Sequence, residues 1–376
     1  MLKIGIVFDD SLDKPDGVQQ YILTIGAWLE RQGHAVHFLV GQTKRQDVTV
    51  HSLSRNINVR FNGNRMSIPL PANRQRIKKL LDTEQYDVLH VQVPYSPQLA
   101  ARIVRLAPEH TAVIGTFHIL PYGPIEKLAT KGLSILLHNN KKRFDEWICI
   151  SPASQEFAKR WFGIKGVLIP NAIDVSAFHT VTVKHNDLRI VFLGRLVARK
   201  GCAELLEAFS LLPSSLRQSV SLVIGGRGPL LSKLERRARK LSVEKQCTFQ
   251  GFISEADKPA FLAQANIAVF PATAGESFGM VLLEAMAAGS EVVMAGDNPG
   301  YSSILGKMPG VMIHPDNTRQ FAERLELLLR DEERRRELHD LQHELIKQYD
   351  VNTVGRQLVD IYNQAIAKRA VKLHNS

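Results

Sequence analysis

Two glutamates eight residues apart form the most distinctive chemical pattern in the sequence. Glu276 lies in a stretch containing Gly and Ser, whereas Glu284 lies among apolar residues that repeat at helical spacing. A carboxylate among apolar neighbours in mid-helix is seldom a surface feature, so it predicts a ligand contact. The alternative is a structural ion pair between Glu284 and an arginine. The helix should begin near Phe278, and the backbone N–H groups free to bind an anion there would be those of Gly279, Met280 and Val281.

A basic turn is the second pattern with chemical meaning. Arg195 and Lys200 lie between Gly194 and Gly201, directly after an apolar run that is typical of a buried strand. A planar guanidinium and a compact ammonium together suit a diphosphate. The glycine-rich run that includes Gly226 also follows a strand-like segment, and glycine lets a backbone approach an anion closely. The alternatives are a solvated basic turn and a tight strand–helix turn.

The composition excludes several classes of protein. The chain has 376 residues, 44% of them hydrophobic and 23% charged, with a net charge of +11. This is the composition of a soluble globular protein with enough apolar material for two cores. Three widely spaced cysteines without a Cys-x-x-Cys pair favour neither a disulfide framework nor a metal site, and no metal site is predicted. The apolar runs are strand-sized, which excludes a transmembrane helix.

Strand-like runs alternate with helical periodicity along most of the chain. The first series begins at Ile4–Phe8, and a second series begins at Ile190–Leu193. This alternation predicts parallel sheets with helices on both faces, that is, an α/β protein of two doubly wound domains. We predict a first domain over residues 1–174, a second over residues 175–350, and a final helix in residues 351–376 that packs on the first domain. In such sheets the chemistry lies at the carboxyl ends of the strands.

These motifs together resemble the retaining glycosyltransferases of family 4, which have the GT-B fold. The two glutamates carry the resemblance, together with the basic turn and the glycine-rich turn that precede them. Further segments, among them Gly17-Val18-Gln19 and Thr116-Phe117-His118, are similar to the phosphatidylinositol mannosyltransferases of actinobacteria. The resemblance implies two Rossmann-like domains facing each other across a cleft.

The resemblance also implies the roles of the site residues. Arg195 and Lys200 would hold the diphosphate, Glu276 the donor sugar and Glu284 the ribose. His118 would contact the donor sugar, and Gly17 would let its helix approach the β-phosphate. The remaining positions expected at the donor are Gly194, Gly226, Ile253, Glu255, Lys258, Ser277 and Phe278, with Glu255 and Lys258 reading the edge of the base.

The implied donor is GDP-mannose, although a UDP-sugar is compatible with the same motifs. Retention would proceed on one face of the sugar, with the departing phosphate assisting the acceptor hydroxyl. Mg²⁺ is compatible with such an enzyme, but the chain contains no Asp-x-Asp, so Arg195 and Lys200 would replace the metal. No tightly bound cofactor is expected.

A basic amphipathic helix near residue 77 indicates an anionic membrane surface. Its cations have no acidic neighbour in the sequence, and the alternative is a solvated helix face. The residues expected at the membrane are Arg65, Arg74, Arg76, Lys78 and Lys79. By resemblance, Gln19 would contact the acceptor headgroup. The protein would then be cytoplasmic and peripherally attached to the inner face of the cell membrane.

Several functions stay open at this point. The acceptor is a lipid such as phosphatidylinositol, or else diacylglycerol or a cell-surface or soluble glycan. An epimerase or phosphorylase of the same fold is disfavoured by the joint presence of the basic turn and the two glutamates. A non-enzymatic protein binding nucleic acid or anionic lipid would explain the charge, but only 7% of the residues are aromatic, so no nucleic-acid partner is expected. The sequence leaves the oligomeric state open.

Overall fold

The computed structural model describes residues 1–13, 17–61, 64–118, 132–134, 140–178 and 187–375. It divides the chain into two compact units. Unit 1 comprises residues 1–172 together with the last 26 residues, Val351–Ser376, and unit 2 comprises Ile173–Asp350. The chain therefore crosses into unit 2 and returns, with the first crossing after Ala172 rather than after Asp174.

Unit 1 is built on a seven-stranded parallel sheet. Its strands are β1 (Lys3–Phe8), β2 (Ala35–Val40), β3 (Val50–Ser52), β6 (Val88–Gln92), β7 (Ala112–Phe117), β8 (Glu146–Cys149) and β9 (Val167–Leu168). They lie in the order β3-β2-β1-β6-β7-β8-β9. A separate antiparallel hairpin pairs β4 (Asn56–Phe61) with β5 (Asn64–Pro69). The helices are α1 (Gly17–Arg31), α2 (Arg74–Glu84), α3 (Leu99–Leu106), α4 (Pro152–Phe162) and α13 (Val351–His374).

Both faces of this sheet are buried because its strands are apolar on both sides. Ile4 and Ile6 pack into one core with α1 and α13, whereas Val7 packs into the other core with α2, α3 and α4. Ser151 begins α4 with a capping box to Ser154, so this pair acts as a helix cap rather than as a nucleophile.

Polar contacts fix the last helix, α13, to unit 1. Arg369 donates to the buried carboxylate of Asp145 with 2.9 Å between Nη2 and Oδ2, and Lys372 lies 3.0 Å from Oδ1. Earlier in the same helix, the hydroxyl of Tyr362 lies 2.9 Å from Nδ1 of the buried His90. Because the helix also buries Leu358, it completes the core of unit 1 rather than covering unit 2.

Unit 2 is built on a six-stranded parallel sheet in the order β12-β11-β10-β13-β14-β15. The strands are β10 (Leu188–Leu193), β11 (Val220–Gly225), β12 (Cys247–Gly251), β13 (Ile267–Phe270), β14 (Val292–Gly296) and β15 (Met312–Ile313). The helices are α5 (Cys202–Ser210), α6 (Ser214–Arg217), α7 (Leu231–Lys240), α8 (Lys258–Ala263), α9 (Met280–Ala287), α10 (Pro299–Leu305), α11 (Thr318–Arg330) and α12 (Glu332–Ile346).

In both sheets the strand order reverses direction beside the first strand of the unit. The reversal lies between β1 and β6 in unit 1 and between β10 and β13 in unit 2. The two-domain α/β architecture predicted from the sequence is therefore confirmed. No helix in the described part of the chain combines the length and the apolar character needed to cross a bilayer.

Candidate active site

The reversal point of unit 2 brings two chemically important loops together. β10 and β13 are neighbours, so the turns that follow them leave the sheet side by side, where doubly wound folds bind ligands. The first turn contains Arg195, Arg199 and Lys200. The second is tied to it by a hydrogen bond from the Thr273 N–H to the Arg199 carbonyl, 2.9 Å long.

Glycines allow these turns to pack backbone against backbone. Gly226 has φ +137°, and a Cβ at that position would collide with the carbonyl oxygen of Gly194. Gly201 has φ +72°, and a Cβ there would collide with the carbonyl of Pro271. Gly226, which was predicted to approach a ligand, therefore has a packing role in this unit, and so does Gly201.

Two cations hold the Glu276 carboxylate. Nη1 of Arg199 lies 2.5 Å from Oε1 of Glu276, and Nζ of Lys200 lies 2.9 Å from the same oxygen. All three side chains are largely buried, so water screens the pairs weakly. The sequence predicted Arg195 and Lys200 as the functional residues of this turn. It did not predict Arg199, which lies in the same turn and contacts Glu276. Arg199 and Lys200 bring two positive charges against the single negative charge of Glu276, and Arg195 is exposed in the same turn.

Glu284 forms a buried ion pair, and its partner is a lysine rather than an arginine. Nζ of Lys258 lies 2.8 Å from Oε1 of Glu284 and 2.7 Å from Oε2 of Glu255. Burial lowers the pKa of Lys258, but the attraction of Glu284 and Glu255 outweighs burial and leaves that pKa raised. Lys258 is thus a charged residue that fixes the position of Glu284.

The helix that follows the second loop is α9, and it begins at Met280 rather than at Phe278. Gly279 precedes it with φ +132°, a conformation that side chains rarely adopt. Phe278 is buried and packs against Tyr349 with 5.9 Å between ring centroids. The main-chain N–H groups at the predicted anion position are those of Gly279, Met280 and Val281. Ser277 lies in the loop two residues before Gly279.

A shallow cavity lies beside the turn predicted to contact the base. Its volume is about 380 Å³, and its lining includes Phe252, Ile253 and Phe261. Phe252 is 53% exposed, and the guanidinium of Arg227 lies 5.3 Å from its ring centroid. An exposed aromatic ring of this kind offers a stacking surface for a planar ligand.

In unit 1, His118 is buried directly after β7. Its Nε2 lies 2.6 Å from Oε1 of Gln92, and its ring is 5.4 Å from that of Tyr21. Burial, together with the nearby His90, lowers the pKa of His118 to about 3, so the imidazole is neutral. Because Nε2 donates to the Gln92 oxygen, Nδ1 is an acceptor, and it has no hydrogen-bond partner among the described residues.

The other predicted residues of unit 1 are spread over α1, α2 and the hairpin. Gly17 begins α1, and Gln19 is buried and donates to the Ser11 carbonyl, 3.1 Å away. Pro15 and Asp16 lie outside the described residues. Arg65 lies on β5, but its side chain is outside the described part. The α2 residues Arg74, Arg76, Lys78 and Lys79 are all exposed, while Ile77 and Leu81 bury the opposite side of the helix.

A half-buried carboxylate lies at the reversal point of unit 1, where the sequence predicted no functional residue. Asp9 follows β1 and accepts hydrogen bonds from the Ser96 hydroxyl and from the Ala100 N–H, the latter 2.7 Å long. Burial raises the pKa of Asp9 to about 6. Val93, after the neighbouring strand β6, has φ +56°, which strains a β-branched residue. The only sequence signal was the position of both residues just beyond an apolar strand.

Each unit is built on a doubly wound parallel sheet, and unit 2 adds a cation-rich turn and two carboxylates that form ion pairs with cations. These features are those of the GT-B glycosyltransferases. Family models agree with this class: residues 15–177 match "Glycosyltransferase Family 4", and residues 177–341 match "Glycosyl transferases group 1". The chain belongs to the family 4 glycosyltransferases, which confirms the family resemblance read from the sequence.

Individual relatives are similar to this chain over three quarters or more of their length. The phosphatidyl-myo-inositol mannosyltransferase of Mycolicibacterium smegmatis is 28% identical over 100% of this chain and 97% of the relative. The alpha-monoglucosyldiacylglycerol synthase of Streptococcus pneumoniae is 25% identical over 84% of this chain and 76% of the relative. Among solved structures, that of Anabaena HepE in complex with UDP superposes with a TM-score of 0.76 at 18% identity, covering 96% of this chain and 100% of that one. At this sequence identity, the structural similarity shows the fold alone.

Proposed function

We propose that this glycosyltransferase moves mannose from GDP-mannose to phosphatidylinositol or a similar lipid, with retention of configuration. The observation that carries the proposal is Glu276 held between Arg199 and Lys200 at the reversal point of unit 2. Similarity to a phosphatidyl-myo-inositol mannosyltransferase over the whole chain supports the choice of donor and acceptor.

The donor chemistry follows from the charges of that site. When the bond between C1 of the sugar and the phosphate oxygen breaks, negative charge grows on the departing diphosphate, and Arg195 and Lys200 stabilise it. The acceptor hydroxyl forms the new bond to C1 and passes its proton to the departing phosphate. Glu276 orients the sugar hydroxyls, and Glu284, fixed by Lys258, accepts hydrogen bonds from the ribose. No covalent carboxylate intermediate is required.

His118 suits a hydroxyl ligand because it is neutral and presents an acceptor nitrogen. Its Nδ1 has no partner in the described part of the chain, and the ring is held by Gln92 and Tyr21. A buried acceptor without a partner costs free energy until a ligand donor fills it. We therefore assign a sugar hydroxyl to Nδ1 of His118.

The exposed cations of α2 are assigned to the lipid surface. Arg74, Arg76, Lys78 and Lys79 add four positive charges on one short helix whose first turn contains no acid. Each cation near an anionic bilayer contributes about 1 kcal/mol. In this proposal unit 1 takes the lipid acceptor, and the protein is peripherally attached to the inner face of the cell membrane.

A second donor and acceptor pair is a UDP-sugar and diacylglycerol. It is favoured by the similarity to the alpha-monoglucosyldiacylglycerol synthase of Streptococcus pneumoniae. The two proposals share the same residues for the diphosphate and differ in the base, the sugar and the lipid.

Calorimetric titration with GDP, UDP and ADP tests the donor. We expect GDP to bind most tightly and Arg195→Ala to weaken its binding at least tenfold. The matched control is Arg236→Ala, which removes the same charge from an exposed position on α7 and should leave binding unchanged. Preference for UDP would select the second proposal, and binding of none of the nucleotides would overturn both.

Transfer to lipid vesicles tests the acceptor. We expect mannose transfer from GDP-mannose to vesicles that contain phosphatidylinositol, and none to pure phosphatidylcholine. Replacing Arg74, Arg76, Lys78 and Lys79 by Gln should abolish vesicle binding while GDP still binds. The control replaces Lys233, Arg236, Arg239 and Lys240, which give α7 the same number of exposed cations. Equal loss in both variants would mean that net charge, not α2, governs membrane binding.

A further inference from the structure

Two histidines and a glutamate meet in unit 1 at the end of the sheet opposite to the ligand-binding edge. His37 lies on β2, and His51 lies on the neighbouring strand β3, where it pairs in register with Leu39. Side chains two residues apart on a strand share a face, so both imidazoles point toward the side covered by α2. Glu84, the last residue of α2, reaches the same place because the helix ends beside the amino ends of the strands.

The donor atoms of these three side chains are close enough to share one cation. Nδ1 of His37 lies 3.2 Å from Nε2 of His51 and 3.6 Å from Oε2 of Glu84. All three donor atoms lie within 4.8 Å of one another. Ligands at about 2.0–2.1 Å from a tetrahedral zinc ion are themselves about 3.3 Å apart, so the spacing fits such an ion with small adjustments.

The three side chains offer the donor atoms that a metal ion requires, namely a ring nitrogen from each imidazole and a carboxylate oxygen from Glu84. The hydroxyl of Tyr86 lies 3.0 Å from Nδ1 of His37 and gives the site a further polar group.

We propose that His37, His51 and Glu84 form a binding site for Zn²⁺ or a divalent transition ion of similar preference. Two imidazoles and one carboxylate are a donor set that zinc accepts, with a water molecule or the Tyr86 hydroxyl left for the fourth position. This site shares no residue with the proposed transferase site.

Two cations oppose the ion: Lys3, which contacts Glu84, and Arg76 of α2, which acts on His51. Nζ of Lys3 lies 2.6 Å from Oε2 of Glu84, the oxygen that faces His37. A carboxylate has two oxygens, so Glu84 can give one to a cation while the other keeps its hydrogen bond to Lys3, as ligating carboxylates commonly do. The ammonium still repels a cation, so we expect its removal to tighten metal binding.

An ion at this place joins the edge of the sheet to the end of the basic helix. It would connect β2 and the short edge strand β3 to α2, so the expected effect of binding is a more stable unit 1. Because the site contains no predicted substrate-binding residue, the ion should change thermal stability and not the donor specificity.

Calorimetric titration of Zn²⁺ into the full chain, freed of any affinity tag, tests the site. We expect one ion per chain, a rise in the unfolding temperature with Zn²⁺, and visible absorption bands of tetrahedral Co²⁺ when cobalt is substituted. His37→Ala and His51→Ala should each weaken binding at least tenfold and abolish the cobalt bands. The control is His314→Ala, whose imidazole lies near a carboxylate in unit 2 and should not affect either readout.

Lys3→Ala keeps the test informative if a histidine variant fails to fold. This substitution removes one of the two opposing charges and should strengthen Zn²⁺ binding several-fold. The proposal is overturned if wild type binds no zinc, if zinc binds equally well to folded His37→Ala and His51→Ala, or if Lys3→Ala weakens binding.

Discussion

Nη1 of Arg199 lies 2.5 Å from Oε1 of Glu276, although the two residues are 77 positions apart in the chain. They meet because β10 and β13 are adjacent strands and the turns after them leave the sheet together. Lys200 contacts the same carboxylate oxygen. Glu276 is therefore oriented by two cations, which suits its proposed contact with the donor sugar.

Neutralising Glu276 should remove activity and also lower the stability of unit 2, because the largely buried Arg199 and Lys200 lose their counter-charge. In Glu276→Gln the side chain keeps its shape but loses its attraction for Arg199 and Lys200, so we expect kcat to fall about 10²-fold or more. Steady-state kinetics with GDP-mannose measure the effect. Glu323→Gln, an exposed position on α11, is the control. Full activity in Glu276→Gln would remove this carboxylate from the site.

Breaking the ion pair of Lys258 and Glu284 should destabilise unit 2 strongly. Lys258→Met leaves a buried carboxylate without its cation, which costs about 3–5 kcal/mol. Chemical denaturation measures the loss, and the double variant Lys258→Met with Glu284→Gln should recover most of it. Equal stability of the single and double variants would contradict this prediction, because neutralising Glu284 should remove the penalty of the unpaired carboxylate.

Alanine variants of two glycines with nearly the same φ allow the cost of backbone strain to be measured apart from the cost of steric crowding. Gly201 and Gly251 have φ +72° and +73°, but only at Gly201 would a Cβ collide with another part of the backbone. Gly251→Ala should cost about 1–2 kcal/mol for the left-handed conformation. Gly201→Ala should cost at least about 2 kcal/mol more and should also weaken GDP binding, because the turn that holds Lys200 must move away from Pro271.

The unfolding temperatures of Gly201→Ala and Gly251→Ala can be compared directly. Thermal unfolding and GDP titration of both variants are compared with wild type. If the two alanines cost the same, the contact between the basic turn and Pro271 contributes nothing.

The half-buried Asp9 should make the free energy of unfolding depend on pH in a definite direction. Its pKa is about 6 in the folded protein and near 3.8 for an ordinary aspartate, so the folded state holds the proton more tightly between those values. The free energy of unfolding must then fall as pH rises from about 4 to 6, by about 3 kcal/mol for this group.

Asp9→Asn isolates that contribution. The amide oxygen can still accept from the Ala100 N–H but does not titrate, so the variant should gain stability relative to wild type as pH rises through this window. Unfolding temperatures between pH 4 and 7 measure the difference, with the exposed Asp82→Asn as the control. A difference between wild type and Asp9→Asn that does not change with pH would contradict the raised pKa.

The sequence predicted the long apolar strands well and the short or polar ones poorly. The apolar runs Ala112–Phe117 and Ile267–Phe270 coincide with the strands β7 and β13, because a buried parallel strand is a continuous apolar run. No apolar period in the sequence marks the hairpin of β4 and β5. β9 and β15 have two residues each and exist because a neighbouring strand pairs with them.

The sequence by itself determined the α/β class, the basic turn and the two glutamates, because local periodicity and residue spacing carry that information. Only the tertiary structure decided which charges meet: Arg199 with Glu276, Lys258 with Glu284, and His37 with His51 and Glu84. Such partners are chosen by strand order, which brings together residues far apart in the chain. The burial that results also sets the pKa values of Asp9 and His118, which no spacing in the sequence reveals.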